Sequence, residues 1–264
     1  AYLRPSVFKR KTVHYSKPLM VDMFRNHFII TYRNLLRHKI FSFINIVGLS
    51  IGLACCMLIF LYAKDEITFD RFHEKQHQIY RLTALITDPN GNRDPWKSGS
   101  TGMVQGEAFE QEVPEVEAFV RLKDFTYIIR KDGELFKEPS LYADSNFFSV
   151  FSFPLLQGNP ETALRGMNAV VLTQEMAQKY FGTTNVLGRN LELGIEGVFE
   201  NFVVTGVAEN APQNSTIKFG ILLPFAHYAR MHPDHQWLNF FLNTFVVLHP
   251  EADVNGVEAK FARV

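Results

Sequence analysis

Cysteine is almost missing from this chain, and its two cysteines, Cys55 and Cys56, are neighbours. Adjacent thiols in an apolar stretch are badly placed to bridge each other or share a metal, so a disulfide scaffold and a cysteine-held metal are not expected. Net charge is missing as well, since 27 Lys+Arg balance 27 Asp+Glu. No basic stripe stands out, which argues against a nucleic-acid partner. A complete phosphate-binding loop is also lacking. GNRDPWKS, Gly91 to Ser98, comes nearest, but Trp96 stands where the second glycine must let backbone approach phosphate. No internal repeat is evident. Only Asp88 to Gly102 runs for long without structure signals, so the chain is folded rather than a linker.

The outstanding presence is IFSFINIVGLSIGLACCMLIFLY, Ile40 to Tyr62: 23 residues without Asp, Glu, Lys, Arg or His. As a helix it spans about 34 Å, enough to cross a hydrocarbon core of about 30 Å. Its 13 Leu, Ile, Val and Phe residues favour insertion. The upper bound is about 4 to 8 kcal/mol. The stretch is too long for a cleaved signal peptide, and Leu61 stands where a small residue is wanted before Ala63. A membrane span is expected.

Inside the span, GLSIG (48–52) matches the G-x-S-x-G nucleophile elbow and the G-x-x-x-G packing pattern. The elbow needs a strand, a sharp turn and a helix around Ser50, whereas the run predicts one uninterrupted helix. In the packing reading Asn45, Gly48, Gly52 and Cys55 or Cys56 share a helical face, with Cys56 the preferred fourth position. Another membrane helix, or a second copy of the chain, is its expected partner; the plain alternative is a lone anchor whose glycines face lipid.

Charge is split along the chain. Residues 1–39 carry nine Lys/Arg and one Asp/Glu, while residues 63–264 carry 18 and 26. The basic side of a span faces the cytoplasm, which puts the N-terminus inside. Close to the span the bias is slight: Arg33, Arg37 and Lys39 before it, Lys64 and Arg71 after. Phe24, Phe28, Tyr32 and Leu35 fall at near-helical spacing, giving either an amphipathic helix in the inner headgroup region or a plain extension of the span. The expected domains are an unassigned extension (1–22), a cytoplasmic amphipathic helix (23–39), the span (40–62) and a folded domain (63–264) incomplete at its C-terminus. Residues 1–19 show no period and read as a translated extension upstream of Met20 and Met23.

The folded domain reads as α+β. IYRLTALIT is a strand, Gly102 to Glu112 a helix stopped before Pro114, and TYIIRKDGELF a hairpin about Asp132-Gly133. Asp144 is expected to cap SNFFSVF. AVVLT is a strand feeding QEMAQKYFG, a helix capped by Thr173 and ended by Gly182. NLELGIEGVFENFVVTGVAE gives two strands, and FGILLP and FLNTFVVLHP one each. FFSVFSFPLL is expected to pack a core.

HEKQH, His73 to His77, has the H-E-x-x-H spacing that puts two zinc ligands and a general base on one helical face. A membrane-tethered zinc metalloprotease would follow, with a third ligand from His227, His232 or His235. The polar surroundings, Asp70 and Arg71 before the motif and Lys75 and Gln76 inside it, predict a solvated segment instead, where both histidines are dispensable. Asn214-Ser215-Thr216 is a glycosylation sequon by pattern alone.

The segment RNLLRHKIFSFINIVGLSIGLACCMLIFLYAKDEITFDRFHEKQHQIYRL resembles the start of long ABC-transporter permeases of the MacB/FtsX type. FFSVFSFPLLQGNPETAL, AVVLTQEMAQKYFG, VLGRNLEL and FVVTGVAENAPQNSTIKF are similar to successive signatures of their periplasmic core domain. The resemblance covers about residues 23 to 230. It implies a bacterial inner-membrane protein with a cytoplasmic N-terminus, one span and a periplasmic domain of mixed α/β subdomains. It implies no catalytic, metal or cofactor residue in the chain, since ATP and magnesium belong to a separate cytoplasmic ATPase. It also implies further membrane helices beyond Val264. A single-span sensory or adhesion protein is the remaining rival.

Overall fold

The computed structural model describes residues 20–87, 94–195 and 197–264. The extension over 1–19 and the Gly91–Arg93 part of the loop-like stretch lie outside them. The chain divides into two units, Ala1–Lys64 and Asp65–Val264.

In the first unit α1 (Met20–Arg37) is followed by α2 (Lys39–Thr68), whose last residues belong to the second unit. Only a turn at His38 separates them. His38 N–H donates to Asn34 O at 3.1 Å and Ser42 N–H to His38 O at 2.9 Å, so helical bonding carries through the turn. Nothing in α2 is buried, and it is long and apolar enough to cross a membrane. GLSIG lies wholly inside α2, with no strand or sharp turn around Ser50. The nucleophile elbow is absent there.

The second unit runs β1 (Ile79–Arg81), β2 (Ala84–Ile86), β3 (Trp96–Ser98), α3 (Gln105–Glu112), β4 (Val116–Lys131), β5 (Glu134–Ala143), α4 (Phe147–Val150), β6 (Leu155–Gln157) and β7 (Ala169–Thr173). It continues with α5 (Gln174–Phe181), β8 (Asn190–Ile195), β9 (Val198–Ala208), β10 (Ile221–Pro224), α6 (Phe225–Met231), β11 (Asn243–Leu248) and α7 (Val254–Phe261). β2 and β3 pair as a separate two-stranded sheet, so Trp96–Ser98 is strand and no helix begins directly after Ser98, as a phosphate-binding loop requires.

The other nine strands form one mixed sheet, and six of them pair in a closed ring. β4 pairs with β5, β5 with β10, β10 with β7, β7 with β9, β9 with β8, and β8 returns to β4. Closure is possible because β4 and β9 are long enough to serve two partners along one edge. The first half of β4 holds β11, and its last residues, Ile128–Arg130, hold β8. Likewise β9 gives its first half to β8 and its end to β6. The sheet is thus shut at the β8 end and splayed where β1, β11 and β6 extend it. One continuous sheet runs through both ends.

Strand alternation sorts the core. Tyr127 and Ile129, Tyr142, Leu172, Leu191 and Leu193, Phe202, Ile221 and Leu223 meet in one buried cluster with α5 and α6. Contributions from all six ring strands to one cluster identify this as the inside of the ring. The alternate residues Leu122, Leu141, Val171 and Leu222 face a second cluster with Phe147, Phe151 and Phe153, as FFSVFSFPLL was expected to do. All of β7 is buried, which is why AVVLT is apolar without alternation.

Local signals are met where they are local. Asp132 and Gly133, at φ 52° and 85°, make the two-residue turn of the β4–β5 hairpin. Thr173 Oγ1 accepts from Met176 N–H at 3.4 Å and Gly182 ends α5 at φ 70°. Asp144 departs from its expected role. It does not cap α4 but accepts from Arg121, N–H at 2.7 Å, Nε at 2.9 Å and Nη2 at 2.8 Å. A guanidinium fork matches both carboxylate oxygens better than a short helix end does.

Candidate functional site: a clamp at the end of the long helix

The last turn of α2 does not simply run into the sheet. Thr68 ends the helix, and its carbonyl, one of the orphans every helix end leaves, accepts from Asn214 Nδ2 at 2.9 Å. Two residues on, Asp70 takes a left-handed backbone (φ 55°), a conformation Asp tolerates better than most side chains. That turn aims both its backbone and its carboxylate at the same loop. Asp70 N–H donates to Asn214 O at 2.9 Å, and Thr216 N–H donates to Asp70 Oδ1 at 2.8 Å. Ser215 between them is buried, its hydroxyl donating to Ile217 O at 2.9 Å.

A second set of bonds ties the next residues to the turn after α4. Ser152 N–H donates to His73 Nδ1 at 3.1 Å, while Ser152 Oγ accepts from Glu74 N–H at 2.9 Å. The His73 ring is 4% exposed, with the rings of Phe72, Phe151 and Phe153 centred 4.0, 5.2 and 5.3 Å away. Burial pushes its pKa below the ordinary 6.5, with Asp70 acting in the opposite direction. Beside the ring lies a hollow of about 360 Å³ lined by Asp70, His73, Arg81, Phe151, Ile217 and Phe245.

HEKQH therefore does a different job from the one its spacing suggests. Residues 73–77 form turns, not a helix, and His73 is buried while His77 is exposed. Among the described residues no three His, Cys, Asp or Glu side chains are grouped to hold a metal. The expectation of two solvated histidines fails at His73, because Phe72 and the Phe151–Phe153 turn cover it. The sequon reading of Asn214 also meets a structural use, since its side-chain amide is engaged at Thr68.

Sequence reasoning named Asp70 only as a charged flank, Asn214 and Thr216 only as parts of a sequon, and Ser152 only within a core-packing block. The available signal was that DRFHE, FFSVFSF and NSTIKF lie in three separate segments that resemble the permease family. The structure brings these three blocks to one place. Of the helix-face candidates, Asn45, Gly48, Gly52 and Cys56 are all exposed, and a Cβ added at either glycine would meet nothing within 4 Å among the described residues.

Comparison with known proteins agrees with this architecture. The family of the MacB-like periplasmic core domain matches residues 42–264. The chain belongs to that family, the domain of the MacB-type permeases its sequence blocks resemble. A domain of a protein assigned as a permease from Porphyromonas gingivalis is similar at 22% identity and TM-score 0.62, over 71% of this chain and 79% of that one. The extracellular domain of the noncanonic ABC-type transporter YknZ from Gram-positive bacteria is similar at 16% identity and TM-score 0.51, over 70% and 91%. Both likenesses concern the fold. No curated protein matches the chain.

Proposed function

We propose that this chain is part of the permease subunit of an ABC-type export or mechanotransmission system. ATP and magnesium are bound and hydrolysed on a separate cytoplasmic ATPase, and the resulting motion reaches the core domain through α2. The N-terminus lies in the cytoplasm and the core domain in the periplasm. No residue of this chain acts as a catalyst, a metal ligand or a cofactor ligand. Asn45, Gly48, Gly52 and Cys56 face the other membrane helices of the permease, or those of a second copy.

The observation that supports this reading is the clamp. A helix that merely anchors a domain needs no fixed exit, and a flexible linker would serve. Here the helix end is bound through Thr68 and Asp70 to a loop 146 residues away. A sensory or adhesion domain on a tether gives no reason for that attachment.

The test is reconstitution of the intact permease with its ATPase, comparing wild type with Asp70→Ala and Asn214→Ala. ATP hydrolysis should persist while the coupled periplasmic output falls by about tenfold or more, a loss of roughly 1.4 kcal/mol of coupling. Folded variants with unaltered coupling would overturn the reading. So would absence of any ATPase that co-purifies with the intact protein.

A further inference from the structure

The Ser152 backbone N–H donates only, so His73 Nδ1 must present its lone pair, and the ring's one hydrogen sits on Nε2. That Nε2 is buried and has no hydrogen-bond partner among the described residues. A second proton can go only to Nδ1. It would then point at the Ser152 N–H, two donors facing each other 3.1 Å apart. Protonation and the His73–Ser152 bond are mutually exclusive.

We infer that the His73–Ser152 contact is an acid-sensitive latch: when His73 takes a second proton it releases Ser152, and the segment 70–74 comes away from the turn at 151–153. This goes beyond the coupling role proposed above and holds whether or not an ATPase is engaged. Ser152 amplifies the effect, because the same residue accepts Glu74 N–H through its hydroxyl. Losing one bond frees the turn that makes the other.

The electrostatic surroundings oppose protonation without forbidding it. On its own segment the ring is accompanied by Asp70, Arg71 and Glu74. The Phe151–Phe153 turn contributes no charge. Arg81 of β1 also lines the hollow, and Lys218 and Asp124 line the adjoining hollow with Arg81 and Thr216. Asp70 favours the cation, but its carboxylate already accepts from Thr216 N–H. Burial prevails and the imidazole stays neutral down to below 6.5. A domain outside the cytoplasm meets that range whenever the medium is acidified.

The test is hydrogen–deuterium exchange on the whole chain in lipid nanodiscs, following peptides that cover 68–76 and 148–154. Rates at about pH 7.5 and about pH 5 are corrected for intrinsic chemistry, and these values bracket the imidazole range. Wild type should lose protection about tenfold at the lower pH in both peptides. His73→Asn places an amide oxygen near the position of Nδ1 and does not titrate, so its protection should be equal at both pH values. Unchanged wild-type protection would overturn the latch, as would acid loosening in His73→Asn equal to that of wild type. If that variant does not fold, the wild-type imidazole decides by NMR. A His73 resonance titrating below 6.5 together with the 70–74 amides supports the latch, and one titrating without them overturns it.

Discussion

Asn214 reaches across 146 residues of chain to donate its side-chain amide to the carbonyl of Thr68, the final residue of the long apolar helix. Its own carbonyl accepts from Asp70 N–H, so one side chain and one backbone position together hold the helix exit.

Asn214→Ala removes one of these bonds and leaves the backbone bond in place. A net loss of about 0.5 to 1.5 kcal/mol in unfolding free energy is expected. The larger consequence is local: amides of residues 65–71 should exchange faster than those of β4 and β5. Uniform loss of protection across the domain would mean that Asn214 supports the whole fold rather than the helix exit.

Arg121 and Asp144 should behave differently, because their fork is largely sequestered at 18% and 16% side-chain exposure. Arg121 also donates to Met103 O at 3.0 Å and lies 4.2 Å from the Phe225 ring centre. Arg121→Met strands a carboxylate, and a cost of about 3 to 5 kcal/mol follows from urea unfolding. Pairing it with Asp144→Leu should restore part of that loss. A double variant as unstable as the sum of both singles would show that the two residues act independently.

How much of this was readable in advance depended on distance along the chain. The β4–β5 hairpin at Asp132-Gly133 and the Thr173-to-Gly182 helix were legible because a turn or a cap is decided by neighbours a few residues apart. Ring closure was not. It depends on Ile128–Arg130 meeting Glu192–Gly194, and nothing in either strand names the other. Asp144 was misread because a carboxylate before a helix is a local signal for a cap, and Arg121, 23 residues upstream, outcompetes it. The clamp was visible only as separate sequence blocks, since bonds spanning 146 and 79 residues leave no trace in local pattern.

His73 and His77 make a direct comparison of sequence expectation with structure. Charged flanks predict that neither matters. The structure predicts that His73→Ala removes a buried acceptor and leaves a gap among Phe72, Phe151 and Phe153, costing about 2 kcal/mol or more. His77→Ala, at an exposed turn, should stay within about 0.5 kcal/mol of wild type. Equal effects in thermal unfolding would return the pair to a shared role.

Stability should depend on pH with a definite sign. Burial lowers the pKa of both His73 and His227, so the unfolded chain binds more protons than the folded one just below the ordinary 6.5. The stabilisation these residues give is present above that value and is lost as pH falls through it toward their folded pKa values. Urea midpoints should therefore decline between about pH 7 and pH 5. His73→Asn should remove one part of the decline and His227→Asn another; a slope unchanged in both variants would assign it to carboxylates.

Gly48 and Gly52 should matter more than Ser50 if the exposed α2 face packs against another helix. A Cβ at either glycine finds open space within the chain itself, so a bulky residue there harms nothing unless an outside helix approaches. Close approach is what small residues permit, and lost dispersion contacts are not replaced selectively by lipid. Ser50 lies about 200° round the helix from Gly48, off that face. The comparison is Gly48→Ile, Gly52→Ile and Ser50→Ala in the intact protein reconstituted with the ATPase proposed above, at matched expression. Assembly and coupled output should fall in the two glycine variants and persist in the serine variant. Equal tolerance of all three would leave α2 facing lipid on every side, and motion would then have to reach the clamp by a route other than helix packing.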